Sequence, residues 1–184
     1  MTARDFFSRW RVRLGYLLAV VVLLLARPNP RSILFGAAVG IVGLAIRAYA
    51  AGYLRKQEVL TTSGPYACTR NPLYFGSSFL AVGAAVAMHS WLAAAPVLCY
   101  FAVVYTIVMR REELELHAKH GAAFDAYAAS VPLFFPWLPS KSQPRLAAGS
   151  FSWAQYKRNH EYEAPIGFLL FLILLVVIWR WRAL

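Results

Sequence analysis

LRKQEVLTTSGPYACTRNPLYFG, residues 54–76, is a polar island between long apolar runs. Such an island lies at a membrane surface, and its neighbours are membrane helices. Gly64-Pro65 and Asn71-Pro72 are two turn signals a few residues apart. Proline fixes its own φ and biases the preceding residue away from helix, so the two pairs shape a rigid loop. Pro72 suits the first turn of a following helix, where a missing N–H costs little. The free N–H groups of that helix start then lie beside Arg70, a seat for an anion such as a carboxylate. On spacing alone, a well-made loop between two helices is an equal alternative.

Working outward, 60% of the 184 residues are hydrophobic, and the mean hydropathy is +0.51. The apolar runs continue through whole helices instead of alternating faces, which excludes a soluble domain of this size. The expected fold is all-α, a polytopic membrane protein of one domain. The net charge of +11 would suit nucleic acid, but the basic residues gather between apolar runs, so no nucleic-acid partner is expected. Cys68 and Cys99 suggest neither a disulfide framework nor a metal site.

Five spans are expected. Arg4, Arg9, Arg11 and Arg13 among Phe6, Phe7 and Trp10 form a basic aromatic collar before the apolar run Leu14–Ala26. That run is shorter than the roughly 17–25 residues of an ordinary span. A cleaved signal peptide shares this layout; a short first span closed by the turn at residues 27–31 is the favoured alternative. The second span covers about 33–54 and carries Gly36, Gly40 and Gly43 on a face open to close helix approach. Its one charge, Arg47, is a site candidate that lies near enough to the end to snorkel. The third span runs 73–88, His89-Ser90 makes a hairpin, and the fourth runs 91–109. The last covers 164–179.

If the N-terminus is cytoplasmic, Arg55, Lys56, Arg70, Arg110, Arg111, Lys119, Lys141, Arg145, Lys157 and Arg158 join the collar on that side. Arg27, Arg31, Arg180 and Arg182 face the other, an asymmetry that supports the assignment. The loop at 64–76 and the residues after Met109 then meet at one cytoplasmic face. There Glu112, Leu116, His120, Phe124 and Tyr127 share a helical face in an expected interfacial helix. His117 and His120 lack a metal-binding pattern, and no metal is expected. Residues 137–163 are expected as an interfacial linker and helix. Ser152 and Gln155 signal its start, Phe151 and Tyr156 are placed as a staple, and Trp153, Tyr156 and His160 share one side.

Gly64-Pro65-Tyr66, Arg70-Asn71-Pro72, Tyr74 and Gly76, then Glu112-Glu113, Leu116, Gly121, Tyr127 and Val131-Pro132, together resemble the isoprenylcysteine carboxyl methyltransferase family. The membrane phospholipid N-methyltransferases share much of this pattern. The resemblance covers about residues 54–136, a cofactor-binding core. It implies an integral-membrane enzyme that uses S-adenosylmethionine at the cytosolic face; the expected partners are a lipophilic small-molecule or lipidated substrate and the surrounding membrane lipids. By similarity Val59, Leu60, Tyr66, Asn71, Pro72, Leu73, Tyr74 and Glu112 bind the cofactor, with Arg70 for its carboxylate. Arg70, Glu112 and Arg111 are the catalytic candidates. Arg110, Arg111, Trp153, Tyr156 and His160 are candidates for the substrate. The family has His at Asn71, eukaryotic members have a substrate arginine at Val108, and a basic residue is common at Leu133; these departures concern the substrate more than the cofactor. A carboxylate acceptor needs no general base, which favours O-methylation over N-methylation. The alternatives are a phospholipid N-methyltransferase, a sterol-reductase-like NADPH enzyme and a non-catalytic membrane scaffold.

Overall fold

The computed structural model describes residues 19–55, 59–138 and 149–184, and these are all-helical. Residues 19–25 are helical (α1), followed by α2 (Pro30–Tyr53), α3 (Pro72–Met88), α4 (Trp91–His120), α5 (Ala122–Ser130), α6 (Trp153–Arg158) and α7 (Glu163–Arg182). Helices α2, α4 and α7 are long and apolar enough to cross a membrane; α3 is apolar and shorter, at 17 residues. The collar, the start of the first expected span, Lys56 and most of the 137–150 linker lie outside the described residues.

The outer surface shows which solvent the fold expects. Leu34 is 68% exposed and Ile41 62% on α2, where water would penalise both and lipid does not. Inside, α2 and α3 form the tightest pair, because glycines replace side chains along their seam. A Cβ on Gly43 would lie 2.6 Å from Gly76 O and 2.9 Å from Phe79 Cβ; one on Gly83 would lie 2.6 Å from Gly36 O. Backbone therefore meets backbone, the small-residue mode of helix association in lipid. Gly40 serves two neighbours, since its backbone meets Gly83 of α3 and it also receives the Phe168 ring of α7.

Local signals set the helix ends. Asn29 Oδ1 accepts from Ser32 N at 2.9 Å, and Ser32 Oγ accepts from Asn29 N at 3.0 Å, a reciprocal cap before Pro30. His89, at φ 48°, turns α3 into α4. At this end Val22, Ala26, Ala87, Met88, Ala93 and Leu175 form a buried cluster joining α1, α3, α4 and α7.

Three local expectations are corrected. The fourth span and the interfacial helix after it are one 30-residue helix, α4. Between Val97 and His120 there is no Pro or Gly, so the helix leaves the apolar zone without a break. That helix ends at Gly121, whose φ of +50° breaks the stripe from Glu112 to Tyr127 into two helices. Phe151 does not staple to Tyr156: it fills the space over Gly52 and stacks on Tyr49, tying the chain before α6 to α2.

The tail is held at the end of α2 by polar contacts. Asn159 Nδ2 donates to Ala51 O at 2.8 Å and Leu54 O at 2.9 Å, and Ser152 N donates to Gly52 O at 3.0 Å. A helix end leaves its last carbonyls unpaired, so Asn159 acts as a cap supplied from a distant segment. Asn159→Ala is expected to cost about 1–2 kcal/mol, one to two ordinary hydrogen bonds. A lower thermal midpoint and faster proteolysis near residue 150 would register the loss; unchanged values of both would refute the capping role.

Candidate active site

At the opposite end of the bundle from the buried cluster, the loop after α2 is locked before it reaches α3. Residues 64–67 form a 3-10 turn, with Gly64 at φ +59° against the Tyr53 ring. Arg70 N donates to Pro132 O at 2.9 Å, Thr69 Oγ1 to Phe134 O at 2.9 Å and Trp137 N to Cys68 O at 2.9 Å. Residues 68–71 and 132–137 are thus zipped together along their backbones. Asn71 Nδ2 joins them by donating to Leu133 O at 3.0 Å. Asn71 thus holds the second segment of the loop, and residue 133 takes part through its carbonyl.

Because Asn71 points away, it does not cap α3. The amides of Leu73 and Tyr74 have no hydrogen-bond partner among the described residues, since Phe75 N makes the first helical bond, to Asn71 O. Both residues border a cavity of about 500 Å³, within the roughly 300–1,000 Å³ usual for small-molecule sites. Its wall includes Val59, Leu60, Tyr66, Arg70, Asn71, Pro72, Leu73, Tyr74 and Glu112, so every residue expected at the cofactor borders one space. Tyr74 Oη donates to Glu112 Oε1 at 2.6 Å and so clasps α3 to α4 across it. Tyr105 meets Tyr74 edge-on at 5.1 Å.

Beneath the cavity Leu60, Phe124, Tyr127 and Val131 form a small core with Leu116 against it. Tyr127 Oη donates to Tyr66 O at 2.7 Å, which braces the 3-10 turn from α5. Burial pushes the phenols of Tyr66 and Tyr127 above their usual range, so both stay protonated and available as donors. Tyr127→Phe is expected to lower stability by about 1 kcal/mol, one hydrogen bond to a buried carbonyl. A denaturant or thermal midpoint identical to wild type would contradict that brace.

Electrostatics modify the expected anion seat. Arg70 Nη1 lies 2.6 Å from Glu113 Oε1, and Glu113 Oε2 lies 3.2 Å from Arg110 Nη1. Arg70 Nε is buried without a partner among the described residues. Glu112, one residue before Glu113, accepts from Tyr74 and is exposed at the cavity mouth. Both adjacent carboxylates border the cavity, but they divide their tasks: Glu113 balances arginines, and among the described residues Glu112 is held only by the Tyr74 hydroxyl. Glu113 was legible only as half of a doublet, and Lys119, His120 and Arg55 on the wall carried no motif.

The expected substrate residues are placed elsewhere. Arg110 and Arg111 are exposed, the latter paired with Glu115 at 2.9 Å, and neither borders the cavity. Trp153, Tyr156 and His160 also lie off its wall, Trp153 against Phe151 and Tyr156, and His160 beside Tyr162. Arg47 does not snorkel: it forms a two-point pair with Glu161, at 2.6 and 3.0 Å. Among the described residues no three His, Cys, Asp or Glu side chains converge as a metal-binding group.

Known proteins match most of this architecture in sequence. The chain is 35% identical over 122 residues to the nickel-cobalt-cadmium resistance protein NccN of Alcaligenes xylosoxydans xylosoxydans, 61% of this chain and 57% of the relative. It is 32% identical over 130 residues to the cobalt-zinc-cadmium resistance protein CzcN of Cupriavidus metallidurans, 65% of this chain and 57% of that one. The matched region thus spans little more than half the length of either relative. No solved structure matches the chain. The phospholipid methyltransferase family model matches residues 14–122, which takes in α2, α3, α4 and most of the cavity wall. The chain belongs to the phospholipid methyltransferase family.

Proposed function

We propose that the protein is an S-adenosylmethionine-dependent membrane methyltransferase of one domain, with its cavity at the cytoplasmic face. Its acceptor is a lipophilic molecule that enters from the bilayer. The observation that carries this reading is the convergence of two distant motifs on one cavity, clasped by Tyr74 and Glu112. The cytoplasmic placement rests on the charge asymmetry between the two ends of the bundle.

The residues present suit the donor. The uncapped amides of Leu73 and Tyr74 and the orphaned Arg70 Nε are donors for a carboxylate. Glu112 is an acceptor for amino or ribose groups, and Tyr66 and Tyr74 supply aromatic surface for a soft cation. S-adenosylmethionine supplies an already activated methyl group. The chain's own part is to bind, orient and exclude water, for which the closed loop and the Tyr74–Glu112 clasp are suited.

An isoprenylcysteine-type carboxylate is the favoured acceptor because it attacks without losing a proton. The family match favours a phospholipid amine as the second reading. Calorimetric titration of the purified protein with S-adenosylmethionine and with NADPH tests the cofactor. Binding of NADPH alone, or of neither, overturns the proposal. Radiolabelled methyl transfer to a prenylated cysteine or to phosphatidylethanolamine then separates the acceptors.

A further inference from the structure

Glu161 comes from the junction of α6 and α7, outside the family match, yet it is 6% exposed and tied to the heart of the α2–α3 pair. Its carboxylate holds Arg47 of α2 at two points. Arg47 reaches past Gly76, where a Cβ would lie 2.7 Å from Arg47 Cγ, and donates from Nη1 to Ser77 Oγ. A guanidinium can only donate, so the Ser77 hydroxyl must accept from it and turn its own proton elsewhere. That proton goes to Leu73 O at 2.9 Å, in the first turn of α3. Leu73 and its neighbour Tyr74 are the residues whose free amides border the cavity.

We propose that Glu161 is a positioning residue: through Arg47 and Ser77 it fixes the first turn of α3, and with it the donor-binding wall of the cavity. This rests on the cavity being the methyl-donor site. Energy alone does not explain the pair, since a buried ion pair costs desolvation and an apolar pair of similar volume is often as stable. What an apolar pair lacks is the forced direction of the Ser77 hydroxyl. The α6–α7 junction is thereby wired to the site without touching it, and the tail becomes a determinant of how the donor is held.

The test compares Glu161→Gln, Glu161→Asp, Ser77→Ala and the double variant Arg47→Met/Glu161→Leu in detergent. Hydrogen exchange is followed at the Phe75 amide, which closes the first turn, without added ligand. Glu161→Gln and the double variant are expected to speed that exchange about tenfold, with the amides of residues 80–88 unchanged. Glu161→Asp restores most of the protection. The double variant is expected to recover the wild-type thermal midpoint yet bind S-adenosylmethionine about tenfold more weakly. Recovery of exchange and affinity together with the midpoint would reduce the pair to a structural filler and overturn the inference. If the double variant does not fold, Ser77→Ala decides, because it leaves the ion pair intact: unchanged exchange overturns the proposal, and faster exchange supports it. Should the wild-type protein bind no S-adenosylmethionine while the exchange responds as described, the donor assignment falls and the positioning of α3 stands.

Discussion

Replacing Glu112 by alanine is expected to weaken S-adenosylmethionine binding about 10–100-fold, the loss of a hydrogen bond to a charged group worth about 1.5–3 kcal/mol. The argument rests on what each carboxylate of the doublet already does. Glu113 is engaged by Arg70 and Arg110, whereas Glu112 has the Tyr74 hydroxyl and an open cavity before it. Glu113→Ala therefore has a different signature: it strands Arg70 and lowers the thermal midpoint. Tyr74→Phe keeps the ring against Tyr105 but releases the clasp, and an intermediate loss of affinity is expected. Calorimetry on the three variants checks the order. Equal affinity for Glu112→Ala and wild type would remove Glu112 from the site.

Gly43→Val is expected to destabilise the protein by about 3 kcal/mol, the upper end for overpacking. The new Cβ would meet Gly76 O and Phe79 Cβ well inside contact distance. Gly76 O belongs to the backbone and cannot swing aside, so α2 and α3 must part. The separation also moves Gly76 away from Arg47 and disturbs the first turn of α3. Gly167→Val on α7 is the control, because a Cβ there meets nothing within 4 Å. Thermal unfolding in detergent should show a large fall for the first variant and almost none for the second. Equal midpoints would show that the seam tolerates a side chain.

Most of the helical scheme is legible in the sequence because lipid removes alternatives: long apolar runs must be helices, and Pro72 marks the start of α3, whereas the Asn29 cap starts α2 at Pro30, inside the stretch read as a turn. The glycine spacing on α2 announces a close partner, though it does not say that Gly40 serves α7 as well as α3 while Gly36 and Gly43 serve α3. The residues of the cavity wall were legible because two motifs resemble those of a known family, and the structure brings both motifs to one space. What stayed hidden depends on distances between segments far apart in the chain. Nothing near Arg47 in sequence announces Glu161, and nothing near the end of α2 announces Asn159. The break at Gly121 was hidden for another reason: the apolar spacing of Leu116, Phe124 and Tyr127 fits one helix as well as two, and only the positive φ decides.

Helix α4 carries one further consequence. At 1.5 Å per residue its 30 residues make a rod about 45 Å long, more than a bilayer core of about 30 Å can cover. Glu112 rides on the overhanging part, while the immersed part answers to lipid thickness by leaning. A stiff rod cannot lean at one end alone, so a lean of the immersed part carries the overhanging end with it, and the Tyr74 hydroxyl's bond to Glu112 ties that end to α3.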